Sequence, residues 1–250
     1  MSEVIVDKES LMEPNLWVPF KQPVNFARLD PSWKYYKDLF YVYVPGATGN
    51  IDQVSGIMGT TTGIISPVAT PYGIGAIGDT SSYITSNVGN PAGEPYSSIL
   101  CVVHSLNYAS ALLFATRRNN SNPTYYCGVS WNVSSTLQMA YGDNTGATNS
   151  DLRRLTSTSN VTTNTITSMC GCFKSETTGA LFVNGRFVPL SPGGTGGAVA
   201  GTGNLTIHNR WSFNALGWVP ILLLAFFNTQ LPDQVMQSLS ADPYQMFKSL

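Results

Sequence analysis

The chain of 250 residues is poor in charge: 27 Asp, Glu, Lys and Arg side chains make up 11% of it, and the formal net charge is −1. Ordinary soluble domains carry about 25%. No Lys or Arg occurs between Lys37 and Arg117, so there is no basic stripe of the kind that neutralises a phosphate backbone, and a nucleic-acid partner is not expected. Long apolar runs are missing as well. The longest, Val219 to Phe227, holds nine residues against the ~20 that cross a bilayer as a helix; it reads as a buried strand, and membrane insertion is not expected. The opening Met1-Ser-Glu-Val-Ile-Val-Asp-Lys8 lacks a basic region followed by an apolar one, so synthesis in a cytoplasm without a signal peptide is expected.

Chemistry-bearing residues are equally sparse. Four cysteines, Cys101, Cys127, Cys170 and Cys172, are too few for a disulfide scaffold and are expected to be packed thiols. Cys170 and Cys172 fall on one face of a strand, which suits half of a metal site, but Cys101 and Cys127 supply no second pair. The two histidines, His104 and His208, stand at ends of predicted strands, and no G-x-S-x-G elbow accompanies them; they read as structural. From Leu39 onward the carboxylates are Asp52, Asp79, Glu94, Asp143, Asp151, Glu176, Asp233 and Asp242, none in the middle of a predicted strand. A retaining glycosidase needs two carboxylates ~5 to 5.5 Å apart, so an enzyme is not expected and no organic cofactor is implied. Calcium has one weak candidate, the loop residues Asp143, Asn144, Asn149 and Asp151, which together offer hard oxygens.

What is abundant is uncharged polarity: 69 Ser, Thr and Asn, with 23 Gly and 15 Pro. Four N-glycosylation sequons, at Asn119, Asn132, Asn160 and Asn204, read as chance products of that composition. Residues 1–38 differ from the rest. They hold 11 of the 27 charges, four prolines and the aromatics Trp17, Phe20, Phe26 and Trp33 among others, a pattern of extended chain with rings to bury. They are expected to form an attachment arm, with residues 39–250 as the domain.

That domain reads as short β-type runs separated by Gly, Asn, Ser and Thr clusters. Strands are predicted at 39–44, 98–104, 111–116, 125–133, 137–141, 165–173, 180–184, 186–190, 205–209 and 219–228. Asn184-Gly185 between two apolar runs is a hairpin of the type that needs positive φ at both central residues. One helix is predicted at 232–239, stopped by Asp242-Pro243. Ten short strands indicate an all-β, two-sheet antiparallel sandwich with an N-terminal arm and one short C-terminal helix.

Several segments, in order, resemble the concanavalin A-like lectin/glucanase family of laminin-G-like jelly rolls. Leu181-Phe-Val-Asn-Gly-Arg-Phe-Val188 is similar to its "LYVNG" hairpin, Ile77-Gly-Asp-Thr-Ser-Ser-Tyr-Ile84 to its "F-D-G-x-x-x-Y-I" element, Leu205-Thr-Ile207 to its "L-x-I-G" strand, and Asp242-Pro-Tyr-Gln-Met-Phe247 to its "NPWQLF" tail. His208 stands where that strand usually has glycine. The Pro/Trp-rich Leu16-Trp-Val-Pro-Phe-Lys-Gln-Pro23 and the stretch from Asp30 to Gly46 look like members encoded by tailed bacteriophages.

The resemblance implies a jelly-roll sandwich that acts as a hydrolase, a carbohydrate-binding module or a structural module. The E-x-D-x-x-E triplet of the glucanase branch is missing, which disfavours the first. The expected function is a non-enzymatic virion structural protein of a tailed phage, located in the virion on capsid or tail, with other virion proteins and its own copies as partners. The alternative is a module for host or environmental glycans. Sugar stacking would then fall to Trp211, Trp218 and Tyr141, because aromatic faces cover the apolar faces of sugars.

Overall fold

The computed structural model describes residues 22, 28–78, 82–92, 96–105, 111–116, 127–133, 136–143, 153–158, 165–194, 204–207 and 219–248, with backbone alone at 105, 111–116, 127–133 and 142–143. In chain order the strands begin with β1 (Arg28–Leu29), β2 (Leu39–Tyr43), β3 (Thr60–Thr62), β4 (Ile65–Thr70), β5 (Gly73–Gly78) and β6 (Tyr83–Thr85). Next come β7 (Ile99–Ser105), β8 (Ala111–Thr116), β9 (Cys127–Val133), β10 (Leu137–Asp143), β11 (Arg153–Ser157) and β12 (Thr165–Phe173). The last are β13 (Gly179–Val183), β14 (Arg186–Phe187), β15 (Leu190–Gly193), β16 (Leu205–Ile207), β17 (Ile221–Phe227) and β18 (Phe247–Lys248). A single helical turn, α1 (Pro45–Thr48), follows β2, and α2 (Asp233–Ala241) follows β17.

Two antiparallel sheets face each other. The first runs β15-β11-β10-β9-β8-β16-β6-β3 and the second β14-β13-β12-β7-β17-β5-β4. In the second sheet β17 has β7 on one edge, while β2 and β5 share the other. The expected all-β sandwich is present, and the predicted hairpin turns at Asn184 (φ 48) and Gly185 (φ 79). The predicted strand at 186–190 is interrupted: β14 stays in the second sheet, and after Val188-Pro189 the chain enters the first sheet as β15. Proline at 189 removes the N–H that a continuing ladder would use.

Alternation sorts the second sheet's side chains into two layers. Ile99, Cys101 and Val103 of β7, Met169 and Phe173 of β12, and Leu224 and Phe226 of β17 point into the space between the sheets, where they meet Leu137, Met139, Tyr141, Leu155, Leu205 and Ile207 of the first sheet. Their neighbours Leu100, Val102, Cys170, Cys172, Ala225 and Phe227 form a second apolar layer on the outside of that sheet. Cys170 and Cys172 do share one face, and that face is apolar. Burial pushes their thiols up, and Cys101, Cys170 and Cys172 are free.

The outer layer has its own cover. Helix α2 lays Met236 and Leu239 on it, and Leu231, Tyr244, Met246 and Phe247 continue the lid. Asp242, extended ahead of Pro243, ends the helix as expected of a residue preceding proline. From the other terminus comes the segment assigned above to an arm. Leu29 and the half-buried Trp33 pack on the same layer, with the Trp33 ring 6.2 Å from that of Phe227. β1 pairs with β18, and Lys248 reaches the Asp30 carboxylate at 3.2 Å. Residues 28–38 therefore belong to the domain. This packing has a plain cause: an apolar outer face left by β17, β7 and β12 must be covered. Trp17, Phe20 and Phe26 lie outside the described residues.

Gln22 is buried and ties its stretch of chain down. The register shift between Ile221 and Leu223 leaves the Leu222 carbonyl facing out of the ladder, and Gln22 Nε2 donates to it at 3.0 Å. Its Oε1 accepts from Ile74 N–H at 2.8 Å, and its own N–H donates to the Tyr72 carbonyl at 2.7 Å. Gly73, at φ +134, leaves room for this side chain, which a Cβ there would strike.

Replacing Gln22 by Ala should cost about 1–3 kcal/mol, because the Leu222 carbonyl is left buried and unsatisfied. Met236→Ala should cost about 2–5 kcal/mol through the cavity under α2. Urea titrations check both as lower midpoints at unchanged slope.

Candidate functional site

Strand registers place one set of strand ends together. Asp143 of β10 lies opposite Cys127 of β9, Tyr141 opposite Arg153 of β11, Leu205 of β16 opposite Thr116 of β8, and Thr85 of β6 opposite both Thr60 and Thr206. In the second sheet Phe173 faces Gly179, and Ile99 faces Phe226. The strand ends that flank residues 117–126, 144–152 and 194–204 lie at this end of the sandwich.

Here the two sheets are bridged by polar groups. The Tyr141 ring is fully buried, edge-on to Phe173 at 4.6 Å, and its hydroxyl donates to the Glu176 carbonyl at 3.4 Å. Arg153, on the first sheet, reaches the Glu176 carboxylate at 3.3 Å in the β12–β13 turn of the second, and donates to the Gly194 carbonyl at 3.2 Å. Burial, with Tyr96 and Glu176 adding to it and Arg153 opposing, pushes the Tyr141 phenol up to about 12. Tyr141 is thereby removed from the sugar-stacking candidates. Its position on β10 alternates with Met139 into the inter-sheet core, so no face of its ring is open.

The loop from Ser86 to Ser98 is held by side chains that the composition alone would assign to solvent. Asn87, at φ 61, donates to the Met58 carbonyl at 3.0 Å and to Thr60 Oγ1 at 2.9 Å. Asn204 accepts from Gly89 N–H at 3.1 Å, and Asn228 from Ala92 N–H at 3.2 Å. Ser98 Oγ accepts from Leu231 N–H at 2.8 Å. Asn90 is different: its Oδ1 and Nδ2 are both enclosed and neither has a hydrogen-bond partner, and Ser97 Oγ in the same loop is also unpaired. Tyr96, half-buried, packs against the inter-sheet core beside them in sequence. No pattern in the sequence distinguished Asn90 from the amides that fasten backbone.

The remaining candidates are dispersed. Trp211 and Trp218 lie outside the described residues, as does His208; the strand ends flanking that stretch, Ile207 and Ile221, are at the opposite end from Tyr141. Of the calcium candidates, the backbone of Asp143 ends β10, while Asn144, Asn149 and Asp151 lie outside the described residues. Among the described residues no three His, Cys, Asp or Glu side chains gather as a metal-binding group. His104 is buried on the outer face with its ring 5.8 Å from that of Tyr72, and burial lowers its pKa. The buried Asp52 accepts from the N–H groups of Val42, Val54 and Ser55 at 2.8 to 3.1 Å and fastens its own loop.

Comparison with protein-family models and with curated proteins finds no match. Solved structures share the fold. Domain 4 of AbnA, a GH43 extracellular arabinanase of Geobacillus stearothermophilus, in complex with arabinotriose, is 14% identical with TM-score 0.55 over 81% of this chain and 98% of its own. The botulinum neurotoxin serotype G binding domain is 11% identical, with TM-score 0.57 over 81% of this chain and 50% of its own. A structure of botulinum neurotoxin type C, whose cell entry depends on interaction with two ganglioside molecules, is 12% identical with TM-score 0.59, over 84% of this chain and 52% of its own. This chain spans about half the length of the neurotoxin chains.

The Tyr141 phenol gives a test of the bridge. Its folded value of about 12 lies above the usual 10.0, so the stability it contributes is present below pH 10 and is lost as pH rises from there towards 12. Tyr141→Phe should flatten part of the alkaline loss of stability, read as the pH dependence of the urea midpoint.

Proposed function

We propose that the protein is a non-enzymatic, lectin-like β-sandwich that binds glycans through the loop end holding Asn90, Tyr96 and the Arg153–Glu176 bridge. The observation that carries this reading is Asn90. An enclosed amide with neither atom bonded costs about 1–3 kcal/mol, and such a group calls for an explanation. Its adjacent donor and acceptor match a pair of sugar hydroxyls, which would reach them on opening of the loop that encloses both atoms. Two similar folds support the reading: the arabinanase domain in complex with arabinotriose and the ganglioside-dependent neurotoxin.

The non-enzymatic part rests on how four of the described carboxylates are engaged. Asp52 holds a loop, Glu176 meets Arg153, Asp233 meets Lys174 and Asp30 meets Lys248. Incubation with oligosaccharides should release no new reducing ends. On a glycan array that includes arabino-oligosaccharides and ganglioside headgroups, the full chain should give signals that Asn90→Ala weakens by about tenfold, corresponding to ~1.4 kcal/mol. Trp211→Ala and Trp218→Ala test in the same assay whether the segment 208–218 provides a separate aromatic site, with circular dichroism confirming that the variants fold. An array without signal above background for the unaltered protein would remove the glycan reading.

The narrower reading, a virion structural protein of a tailed phage on capsid or tail, is supported by the resemblance of residues 16–23 and 30–46 and by the charge-poor body. Uncharged polar faces carry small desolvation penalties when they meet other subunits. Because residues 28–38 belong to the domain and Gln22 is seated on it, the attachment role falls to residues 1–21. Deleting them should abolish incorporation into virions while leaving the thermal unfolding midpoint unchanged; normal incorporation would refute the role.

A further inference from the structure

The short segment 89–92 carries Asn90 and is tied down unequally at its two ends. Gly89 is held twice: its N–H donates to Asn204 Oδ1 at 3.1 Å, and its carbonyl accepts from Leu205 N–H at 3.2 Å. Its φ is +82, and no atom lies within 4 Å of the place a Cβ would take, so the backbone can turn there without striking a neighbour. The other end has a single tie. Ala92, which is exposed, donates its N–H to Asn228 Oδ1 at 3.2 Å, and Asn228 directly follows β17. Between them Pro91 is buried and, lacking an N–H, adds no donor.

Opposing effects act on this segment. Closure shelters the Pro91 ring and keeps the bond from Ala92 to Asn228, but that bond is exposed, so water can replace it at small net cost. Closure also leaves Asn90 Oδ1 and Nδ2 enclosed without partners, a desolvation penalty that contact with water or a ligand removes. A segment with one buried ring, one exposed clasp and an unsatisfied amide belongs to the low-stability end of a structure, where local opening occurs without global unfolding.

We infer that residues 89–92 are a strap that is shut in the unliganded protein with Asn90 turned inward, pivots at Gly89, and must open for a glycan to bind. Asn228, which holds the moving end, then sets the affinity without touching the sugar. The inference rests on the glycan reading of Asn90 and adds the residue that controls access to it. A ligand that binds only the open form has an apparent Kd raised by the reciprocal of the open fraction. Removing a hydrogen bond made only in the shut form increases that fraction, about fivefold for one bond of ordinary net strength. Loss of Asn228 Oδ1 should therefore tighten binding, the opposite of what loss of a contact residue does.

Alkylation and glycan retention test this together on the full chain. In Asn90→Cys, iodoacetamide should modify residue 90 slowly, read by peptide mass mapping with the buried Cys101, Cys170 and Cys172 as internal references. Adding Asn228→Ala should speed that modification about fivefold, whereas adding Asn228→Asp, which keeps an acceptor for Ala92 N–H, should not. On the glycan array, Asn228→Ala alone should tighten retention of the glycans that the unaltered protein holds by the same factor, and Asn228→Asp should not. Modification of residue 90 as fast as in the urea-unfolded chain, or no acceleration by Asn228→Ala, would overturn the strap. Faster modification with unchanged or weaker retention would overturn the control of binding by Asn228. An array silent for the unaltered protein, with faster modification in Asn228→Ala, would remove the glycan reading and leave the strap standing.

Discussion

The structure depends on burying β17 on every side. Its seven residues are all buried; β7 takes one edge, β2 and β5 the other, and apolar layers meet both faces. A strand in a two-layer sandwich needs cover on one face only and shows alternation. β17 reads Ile-Leu-Leu-Leu-Ala-Phe-Phe because it lies in the middle of three layers: first sheet, second sheet, and a lid of α2 with residues 29–36 and 244–247. At about 1.5–3 kcal/mol for each large side chain removed from water, this strand and its cover hold much of the driving force for folding. The bulges it carries have consequences too. The shift at Ile221/Leu223 calls for Gln22, and that at Phe226/Phe227 turns Leu39 to the outer layer while Tyr41 stays inside.

Scarcity of charge puts a different demand on the loops. With few ion pairs available, loops are fastened by amides and hydroxyls: Asn50, Asn87, Asn184, Asn204 and Asn228 each bond backbone. The same residue types that would recognise a sugar are here mostly spent on the protein itself. A free amide such as Asn90 is therefore informative against that background, where the bare abundance of asparagine is not. The three described ion pairs serve joints: one bridges the sheets, one ties α2 to the β12–β13 turn, and one closes the termini.

Much of the fold was legible in the sequence because period-2 runs and turn residues act locally. The strands from Leu39, Ala111, Leu137 and Thr165, the Asn184-Gly185 hairpin and the helix before Asp242-Pro243 all lie close to where those signals put them. β3, β4, β5, β6, β11 and β15 escaped, since short runs rich in Thr, Ser, Gly, Pro or Arg resemble loop. The site was less legible. Tyr141 has the composition of a sugar platform, but its orientation follows from which face of β10 looks inward, and that is fixed by the partner sheet.

What the sequence determined by itself is the chain's class: all-β, because its apolar residues recur at strand spacing between turn formers, and charge-poor, because Ser, Thr and Asn replace Lys and Glu. Tertiary structure decided the assignments that need two distant segments to meet. It made residues 28–38 part of the domain, since the outer face of the second sheet required cover, and it closed Tyr141 against Phe173. It also laid Asn50 and Ile51 along the edge of the chain leading into β3, where Gly59 N–H donates to the Asn50 carbonyl at 2.9 Å. Local pattern specifies a strand; only its neighbours specify which face and which edge meet water.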